Sequence, residues 1–313
     1  MTLKATAAPK AQERGNANAD ARTRRWRPQW FTIAIVVLVC GGVLLMLYPS
    51  TAAWVSQYNQ SEIVARYPRE VEKAKPTASE QIALARRYNK TLVFSAAVAA
   101  NNRLPSATSG AGEGAGEDAG ADADLSYSNL LSVDSSGLMG RIKIPSIDVD
   151  LPIYHGTSDE TLKNGIGHLE GTSLPVGGSG TRSVLTGHRG LASSTLFTHL
   201  NKVKDDDTFT LTILDEVLTY KVVEVQVVES DETEALRPVE GRDLVTLVTC
   251  TPLGINSQRI LVTGERVSPT PQADIDSAGD PPDIPGFPWW AVAASAVVLI
   301  GGAVIWRSGY SCT

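Results

Sequence analysis

The part of the sequence that decides the fold reads DLVTLVTCTPLGINSQRILVTGER and covers residues 243–266. It contains two runs rich in β-branched and aliphatic residues, Leu244–Cys250 and Arg259–Arg266, which have the character of strands. Proline, glycine and asparagine in the connection between them are typical of a turn. If the two runs pair as antiparallel strands, Cys250 and Arg259 lie at the same edge of the sheet.

Six similar runs precede this pair and widen the pattern. They are Arg141–Ile144, Val149–Ile153, Gly167–Leu169, Ser183–Gly187, Thr208–Ile213 and Val217–Val228. Turns rich in glycine, proline, asparagine and aspartate separate them. About eight short strands with little helix between them predict a closed antiparallel barrel or sandwich over residues 138–267.

Composition narrows the classes of function. The chain has 313 residues, of which 42% are hydrophobic and 20% charged, as in ordinary globular proteins. Its formal net charge is −6, which argues against nucleic acid as a partner because contact with phosphates needs a basic face. Three cysteines are too few for a disulfide framework. No His and Cys spacing is typical of zinc, so we expect neither a metal nor a cofactor.

Two apolar runs, residues 30–48 and 287–306, are long enough to cross a bilayer as helices. Four arginines between residues 22 and 27 precede the first run, and Arg307 follows the second. The positive-inside rule therefore predicts a two-pass protein of the cell membrane, with both termini cytoplasmic and residues 49–286 extracellular. Cleavage of the first run as a signal peptide is the alternative, and it would leave the protein anchored by the second run.

Other segments flank the barrel and the membrane helices. We expect a disordered cytoplasmic tail at 1–29, N-terminal extracellular helices at 49–105, a Pro/Asp-rich linker at 268–286 and a cytoplasmic tail at 307–313. The helical pattern of 49–105 is interrupted at Pro68 and Pro76. Residues 106–137 are expected to form a flexible Gly/Ala/Asp-rich loop, because their first part has no large apolar side chain to bury.

Cys250 is the first candidate for chemistry. A lone cysteine is most often a small buried hydrophobic residue. This one ends a strand beside a turn and lies in the predicted extracellular part, where an unpaired thiol is a liability unless it is used. Arg259 stays protonated and can donate hydrogen bonds to an oxyanion, although an arginine at a strand edge is as often only a surface residue. Together they indicate attack of a thiolate on a carbonyl group.

A cysteine nucleophile also needs a base, and the sequence offers four histidines. His188 directly follows the run Ser183–Gly187 and would stand at a strand end, with glycines on both sides of the motif. His155 and His168 could each line a pocket or cap a turn, and His199 lies in a predicted short helix or turn. The pattern favours His188 without excluding the other three.

Three linked segments carry a family resemblance: TLVTC at 246–250, TPLGINSQR at 251–259 and LTGHRG at 185–190. In these segments the chain resembles the sortases, the cysteine transpeptidases of Gram-positive bacterial surfaces. The first matches the family signature TLxTC, the second matches the TPxGxNxxR form of the pilin-polymerising class C members, and the third matches the segment with the catalytic histidine. The likeness covers residues 138–267 and includes IYHGT at 153–157 and GHLEGTSLPVGG at 167–178.

The resemblance implies a mainly β fold, a closed eight-stranded sortase-type barrel with N-terminal helices, flanked by two transmembrane helices. It implies Cys250 as the nucleophile, His188 as the acid–base partner and Arg259 as the oxyanion donor, with Thr249 and Thr251 on the substrate-binding side. The enzyme would cleave an LPxTG-like sorting signal of a pilin or surface-protein precursor between Thr and Gly. A pilin lysine would then resolve the thioacyl enzyme to an isopeptide.

Alternative functions stay open at this point. A housekeeping-type sortase would use a cell-wall amine as acceptor, a thiol peptidase would use water, and a barrel without activity would only bind surface components. Class C members usually carry a lid with an Asp-Pro-aromatic motif before the barrel, and no such triplet occurs between Ala85 and Leu138. The sequence therefore predicts either a lid without this plug or an open site.

Overall fold

The structure is a computed structural model that describes residues 26, 27, 29–92, 125–282 and 284–310. Most of the predicted N-terminal tail and the Gly/Ala/Asp-rich stretch up to residue 124 lie outside the described residues. The chain divides into two compact units, which are Met1–Leu45 with Ala293–Thr313 and, separately, Met46–Val292.

In the described part of the second unit, eight strands close into a barrel. They are β1 Leu138–Ile144, β2 Val149–His155, β3 Ile166–His168, β4 Thr181–Thr186, β5 Thr208–Ile213, β6 Glu216–Glu229, β7 Asp243–Thr251 and β8 Gln258–Arg266. Their order around the barrel is β1-β2-β3-β4-β7-β8-β6-β5, and β5 pairs with β1 to close it. The predicted closed eight-stranded barrel is confirmed.

The barrel is not antiparallel throughout, and the prediction was wrong on this point. β2 pairs with β3 in parallel, and β4 pairs with β7 in parallel. A parallel pair needs a connection that carries the chain back to the starting edge. Residues 156–165 make that return between β2 and β3, and the β5–β6 hairpin lies in the longer return between β4 and β7.

The sheet formed by β4, β7 and β8 carries apolar side chains on both faces. Leu185, Leu247 and Val262 belong to the main core inside the barrel. Their neighbours along the strands, Val184, Val248 and Leu261, form a smaller cluster on the outer face together with Leu169 and Leu236 from flanking segments. Burial on both sides explains why these strands read as nearly continuous apolar runs instead of alternating ones.

Five α-helices accompany the barrel in the described residues: α1 Trp30–Lys73, α2 Ala78–Thr91, α3 Asp159–Asn164, α4 Gln272–Ala278 and α5 Trp289–Ser308. The predicted break at Pro76 is confirmed, because it falls between α1 and α2. The predicted break at Pro68 is wrong, because α1 continues through it to Lys73. A proline inside a helix removes one hydrogen bond but need not end the helix where packing supports it. Val64 and Tyr67, just before the proline, are both buried.

α1 and α5 are candidate membrane spans by their length and composition, with 18-residue windows of mean hydropathy 2.6 and 1.9. Within the first unit, the two helices approach closely at Gly301. A Cβ atom there would come within 2.9 Å of Cys40 Sγ and of Val36 Cγ1. Glycine therefore permits the contact between the helices. The direction in which the chain crosses the membrane stays a prediction.

The final part of the predicted flexible loop 106–137 is packed against the barrel, which corrects that expectation for residues 125–137. Leu130 and Leu131 are buried in the main core. The Tyr127 hydroxyl lies 2.9 Å from Nδ1 of His168. The sequence changes at residue 125 from small and acidic residues to large apolar ones, and these supply the burial that the preceding stretch lacks.

The predicted Pro/Asp-rich linker 268–286 also contains ordered structure, because α4 forms within it. The Thr219 hydroxyl donates a 2.7 Å hydrogen bond to the Asp274 carboxylate. The Arg141 guanidinium donates to the carbonyl oxygen of Ala278 at 3.1 Å. These bonds fasten the segment to the barrel wall, and its part as a linker stays a prediction.

Tyr67 connects α1 to the barrel. Its hydroxyl donates to the Met139 carbonyl oxygen at 2.7 Å and accepts from the Leu214 backbone N–H at 2.6 Å. The side chain is buried, and burial raises the pKa of Tyr67 well above its usual range. The neutral hydroxyl therefore serves two backbone groups that have lost contact with water.

We expect Tyr67→Phe to lower the free energy of unfolding by about 2 kcal/mol, because it leaves two buried backbone groups without their partner. Chemical denaturation of the full chain in detergent measures this. Tyr58→Phe is the matched control, since Tyr58 lies on the same helix but is exposed. Equal stability of the two variants would contradict the role given to the Tyr67 hydroxyl.

Candidate active site

The end of β7 and the start of β8 bring Cys250 and Arg259 together. The two residues are direct partners in the antiparallel register of these strands. Side chains of directly opposed residues lie on the same face, with Cβ atoms about 5 Å apart. The arginine that the turn pattern pointed to is therefore the cross-strand neighbour of the cysteine.

His188 reaches the same row from the other side of β7. β4 and β7 run in parallel, with Thr186 opposite Val248. The ladder continues beyond the strand, because the Gly187 N–H donates to the Val248 carbonyl oxygen at 3.0 Å. This register directs the segment that carries His188 along the part of β7 that carries Cys250. The structure thus brings the three predicted catalytic residues into one row.

The row lies on the outer face of the barrel. Side chains alternate along a strand, so Cys250 shares a face with Val248, which belongs to the outer apolar cluster. Leu261, two residues beyond Arg259, belongs to the same cluster. The three residues therefore belong to the outer side of the barrel wall, where Cys250 is half-buried and Arg259 is buried.

Thr249 points the other way and has no exposed surface. Its hydroxyl donates a 2.7 Å hydrogen bond to the Gly187 carbonyl oxygen. This bond ties the residue before Cys250 to the residue before His188. The sequence predicted Thr249 on the substrate-binding side, which stays a prediction; the structure shows the side chain buried and bonded to Gly187.

Arg259 is held by the turn between β7 and β8. Only 1% of the residue is exposed, and its Nη1 donates to the carbonyl oxygens of Asn256 and Gln258 at 2.8 and 2.9 Å. Asn256 adopts a left-handed backbone conformation with φ of 58°, which asparagine tolerates better than most residues. The turn thereby fixes the guanidinium at the start of β8, opposite Cys250 on β7.

Burial shifts the pKa values of Cys250 and His188 in opposite directions. Burial raises the pKa of the Cys250 thiol, and the positive charge of Arg259 opposes this rise. Burial lowers the pKa of the His188 imidazole, which Asp159 raises and Lys163 lowers further. Both shifts disfavour the charged forms, so the neutral thiol and imidazole dominate near pH 7. The thiolate–imidazolium pair is a minor form of the site.

The other three histidines lie away from this row. His168 is buried with a pKa lowered to about 4 by desolvation, and its Nε2 lies 2.9 Å from the Ser173 carbonyl oxygen. The two ring nitrogens of His155 face the carbonyl oxygens of Gly137 and Leu130. His199 stands at the start of a 3-10 turn, Leu200–Lys202. The structure thus favours His188 where the sequence left the choice open.

Thr251, the second predicted substrate-binding residue, accepts a 2.7 Å hydrogen bond from Nη1 of Arg189. The sequence reasoning gave Arg189 no role. The signal was nonetheless present, since a cation directly follows the predicted base. The two charges that act on His188 were also missed, because α3 comes near it only through the pairing of β2 with β3 and of β3 with β4.

The arrangement supports chemistry by a thiol with an acid–base partner and a cationic donor. Among the residues that the structure describes, no group of three or more His, Cys, Asp or Glu side chains could hold a metal ion. The exposed side chains of Leu253 and Ile255 project from the turn that follows Cys250. They offer an apolar surface to a ligand that approaches the thiol.

Comparison with known proteins points to one family. The profile described as "Sortase domain" matches residues 142–267. Sortase D of Bacillus subtilis is 29% identical over 132 residues, which make up 41% of this chain and 64% of that protein. The aligned part of the chain therefore spans less than two thirds of that relative's length.

Two solved structures extend the likeness. Sortase C1 of Streptococcus agalactiae is 38% identical, with 67% of this chain and 100% of that chain covered and a TM-score of 0.55. Sortase C of Clostridium perfringens, solved with the C-terminal cell wall sorting motif, is 40% identical, with 66% and 98% covered and a TM-score of 0.53. The structural neighbours are class C sortases, in agreement with the resemblance read from the motifs.

We expect Arg259→Met to raise the pKa of Cys250, because it removes a positive charge that opposes the effect of burial. The rate of alkylation by iodoacetamide, followed against pH on the full chain in a Cys40→Ala, Cys312→Ala background that leaves Cys250 as the one thiol, measures this pKa. Arg259→Lys keeps the positive charge and is expected to leave the midpoint nearer to that of the parent. Equal midpoints in the Met variant and the parent would contradict an electrostatic role for Arg259.

Proposed function

The chain belongs to the sortase family, and we propose that it is a membrane-anchored cysteine transpeptidase of the pilin-polymerising, class C type. The observation that carries the proposal is the cross-strand pairing of Cys250 with Arg259, with His188 two residues beyond the end of β4, the strand that pairs with β7 on its other side. A nucleophile, an acid–base group and a cationic donor at neighbouring strand ends are the groups that acyl transfer requires.

In the first half-reaction, the Cys250 thiolate attacks the carbonyl carbon of the Thr–Gly bond in an LPxTG-like sorting signal. Arg259 donates hydrogen bonds to the oxyanion that develops on the carbonyl oxygen. The His188 imidazolium gives its proton to the nitrogen of the departing glycine as the carbon–nitrogen bond breaks. The product is a thioester between Cys250 and the threonine of the substrate.

In the second half-reaction, a pilin lysine amine attacks the thioester carbon. His188, now neutral, accepts the proton of the amine, and the Cys250 thiolate leaves. An isopeptide bond replaces the peptide bond that was cleaved. Because one amide is exchanged for another through a thioester, the reaction needs no external energy source. This suits the extracellular location that we propose for residues 49–286.

Two observations support a peptide substrate of this kind. The solved Clostridium perfringens sortase C, which the chain resembles at 40% identity, was determined with a cell wall sorting motif. In this chain, Leu253 and Ile255 are 53% and 73% exposed on the turn next to Cys250. Exposed aliphatic side chains beside the thiol suit the leucine and proline of such a signal.

The decisive experiment combines the full chain in detergent with an LPxTG peptide and analyses the protein and peptide by mass spectrometry. We expect a thioester on Cys250 that retains the peptide up to threonine. Addition of a lysine-containing pilin peptide should convert it to an isopeptide-linked product. Cys250→Ala should abolish both species, and Cys40→Ala, the matched removal of a thiol elsewhere in the chain, should leave both intact.

The choice of acceptor separates the proposal from its alternatives. If the thioester reacts as well with water as with added amine, the protein is a thiol peptidase. If a cell-wall amine is used and the pilin lysine is not, it is a wall-anchoring sortase. Absence of any thioester on Cys250 would overturn the proposed transpeptidase activity.

We expect the acid limb of kcat/KM to follow the pKa of His188. As the pH rises through this value, the doubly protonated pair of thiol and imidazolium loses its first proton, and the pair that then holds one proton is the reactive one. Asp159 raises this pKa and Lys163 lowers it. Asp159→Asn should therefore move the limb to lower pH and Lys163→Met to higher pH, each by at most about one unit.

Glu160→Gln is the control for this pair of variants. It removes a carboxylate from the same helix, but Glu160 faces the cleft on the far side of α3, with Glu70 and Asp134. Its effect on the limb should be smaller than that of Asp159→Asn. Shifts of the same sign in Asp159→Asn and Lys163→Met would contradict the assignment of the limb to His188.

A further inference from the structure

The residues that directly follow His188 and Cys250 are joined by a side chain. Arg189 Nη1 donates a 2.7 Å hydrogen bond to the Thr251 hydroxyl. Arg189 comes after the last paired residue of β4, and Thr251 is the last residue of β7. The bond therefore connects the segments that follow β4 and β7, just beyond the last backbone hydrogen bond between these two strands.

A second set of bonds fixes Arg189 itself. Its Nε donates to the Thr198 carbonyl oxygen at 3.3 Å, and the Gly190 N–H donates to the Thr198 hydroxyl at 3.1 Å. The His188 carbonyl oxygen accepts from the Phe197 N–H at 3.0 Å. The backbone and side chain of residues 197 and 198 thus fix both His188 and Arg189 through hydrogen bonds.

The turn after Cys250 also packs against the segment that follows His188. Gly190 has φ of 72°, and a Cβ atom on it would lie 2.3 Å from Cδ2 of Leu253. Glycine is needed here both for the left-handed backbone and for the space that Leu253 occupies. The Arg189–Thr251 bond is therefore one part of a close contact between the two segments that carry the base and the nucleophile.

We propose that Arg189 is a positioning residue, which through Thr251 sets the separation and orientation of His188 and Cys250. The inference rests on the proposed function. We call the Arg189–Thr251 hydrogen bond the brace, and the inference assigns Thr251 to this brace instead of to direct contact with substrate. The Arg189–Thr251 bond links the two segments just after His188 and Cys250. The Thr249–Gly187 bond links the same segments just before these two residues.

The role is geometric and not electrostatic. The charges that act on the pKa of His188 belong to Asp159 and Lys163, and the charge that acts on the pKa of Cys250 belongs to Arg259. The guanidinium of Arg189 is directed to the Thr251 hydroxyl and to the Thr198 carbonyl oxygen. Proton transfer between thiol and imidazole depends steeply on their separation, and a displacement of about 1 Å can cost about 100-fold in rate.

The experiment compares Arg189→Met, Thr251→Val and the double variant in the full chain in detergent. kcat and KM for transfer of an LPxTG peptide to an amine are measured, together with the pH midpoint of Cys250 alkylation. Arg242→Met is the matched control. Arg242 pairs with Glu265 at 2.7 Å and also links β7 to β8, but at the opposite end of these strands.

We expect Arg189→Met and Thr251→Val each to lower kcat by about 10- to 100-fold with little change in KM. The double variant should be no slower than the slower single variant, because both remove the same bond. Thr251→Ser, which keeps the hydroxyl, should restore kcat. The alkylation midpoint should stay unchanged in all of them, and Arg242→Met should behave like the parent.

Different outcomes overturn the inference in different ways. A raised KM with normal kcat in Thr251→Val would return Thr251 to substrate contact. A shifted alkylation midpoint in Arg189→Met would make Arg189 an electrostatic residue. Multiplicative effects in the double variant would show that the two side chains act separately.

A readout without substrate keeps the brace testable even if the proposed function fails. Hydrogen exchange of the amides of residues 188–191 should be faster in Arg189→Met than in Arg242→Met. If the parent transfers no peptide but this difference in exchange is found, the proposed function is wrong and the role of the brace is confirmed. If the parent is active and Arg189→Met matches it in both rate and exchange, the brace falls and the function stands.

Discussion

The register of β7 with its two neighbours is the constraint on which the site depends. β7 pairs in parallel with β4 and antiparallel with β8. Because of this mixed pairing, the end of β4, the end of β7 and the start of β8 meet at one edge of the barrel. A shift of β7 by one residue against either neighbour would turn its side chains to the opposite face and separate Cys250 from its partners. The hydroxyl bonds of Thr249 and Thr251 lie on either side of Cys250 and oppose such a shift.

A second constraint is electrostatic. The site is sheltered enough that burial disfavours both the thiolate and the imidazolium. The same shelter strengthens each hydrogen bond to an oxyanion, because charges interact more strongly where water is scarce. Arg259 therefore has two roles in the proposed reaction: it partly offsets the cost of the thiolate before attack, and it stabilises the oxyanion afterwards. Its bonds to the carbonyl oxygens of Asn256 and Gln258 hold the charge in place for both roles.

The sequence predicted what local patterns encode. The eight strands were found because β-branched runs and turn residues alternate, and the row of Cys250 and Arg259 follows from a single hairpin. Long-range features were missed. The parallel pairing of β4 with β7 brings together residues about 60 positions apart, and no local pattern reports it. The inward direction of Thr249 depends on burial of the sheet on both faces, and the continuity of α1 through Pro68 depends on packing against the barrel. Periodicity contains neither kind of information.

The position of the site on the outer face follows from the packing of the barrel. Its interior is filled by side chains such as Phe209, Leu247 and Val262, which are wholly buried, so a peptide cannot enter it. The outer face near Cys250 carries its own apolar residues, Val248 and Leu261, which must be covered. Leu236, from the connection between β6 and β7, covers them. α3 supplies the charges of Asp159 and Lys163 that act on the pKa of His188. The apolar part of the outer face is thus covered, and in the proposed reaction a peptide meets the thiol at the end of β7, where Cys250 is half-buried.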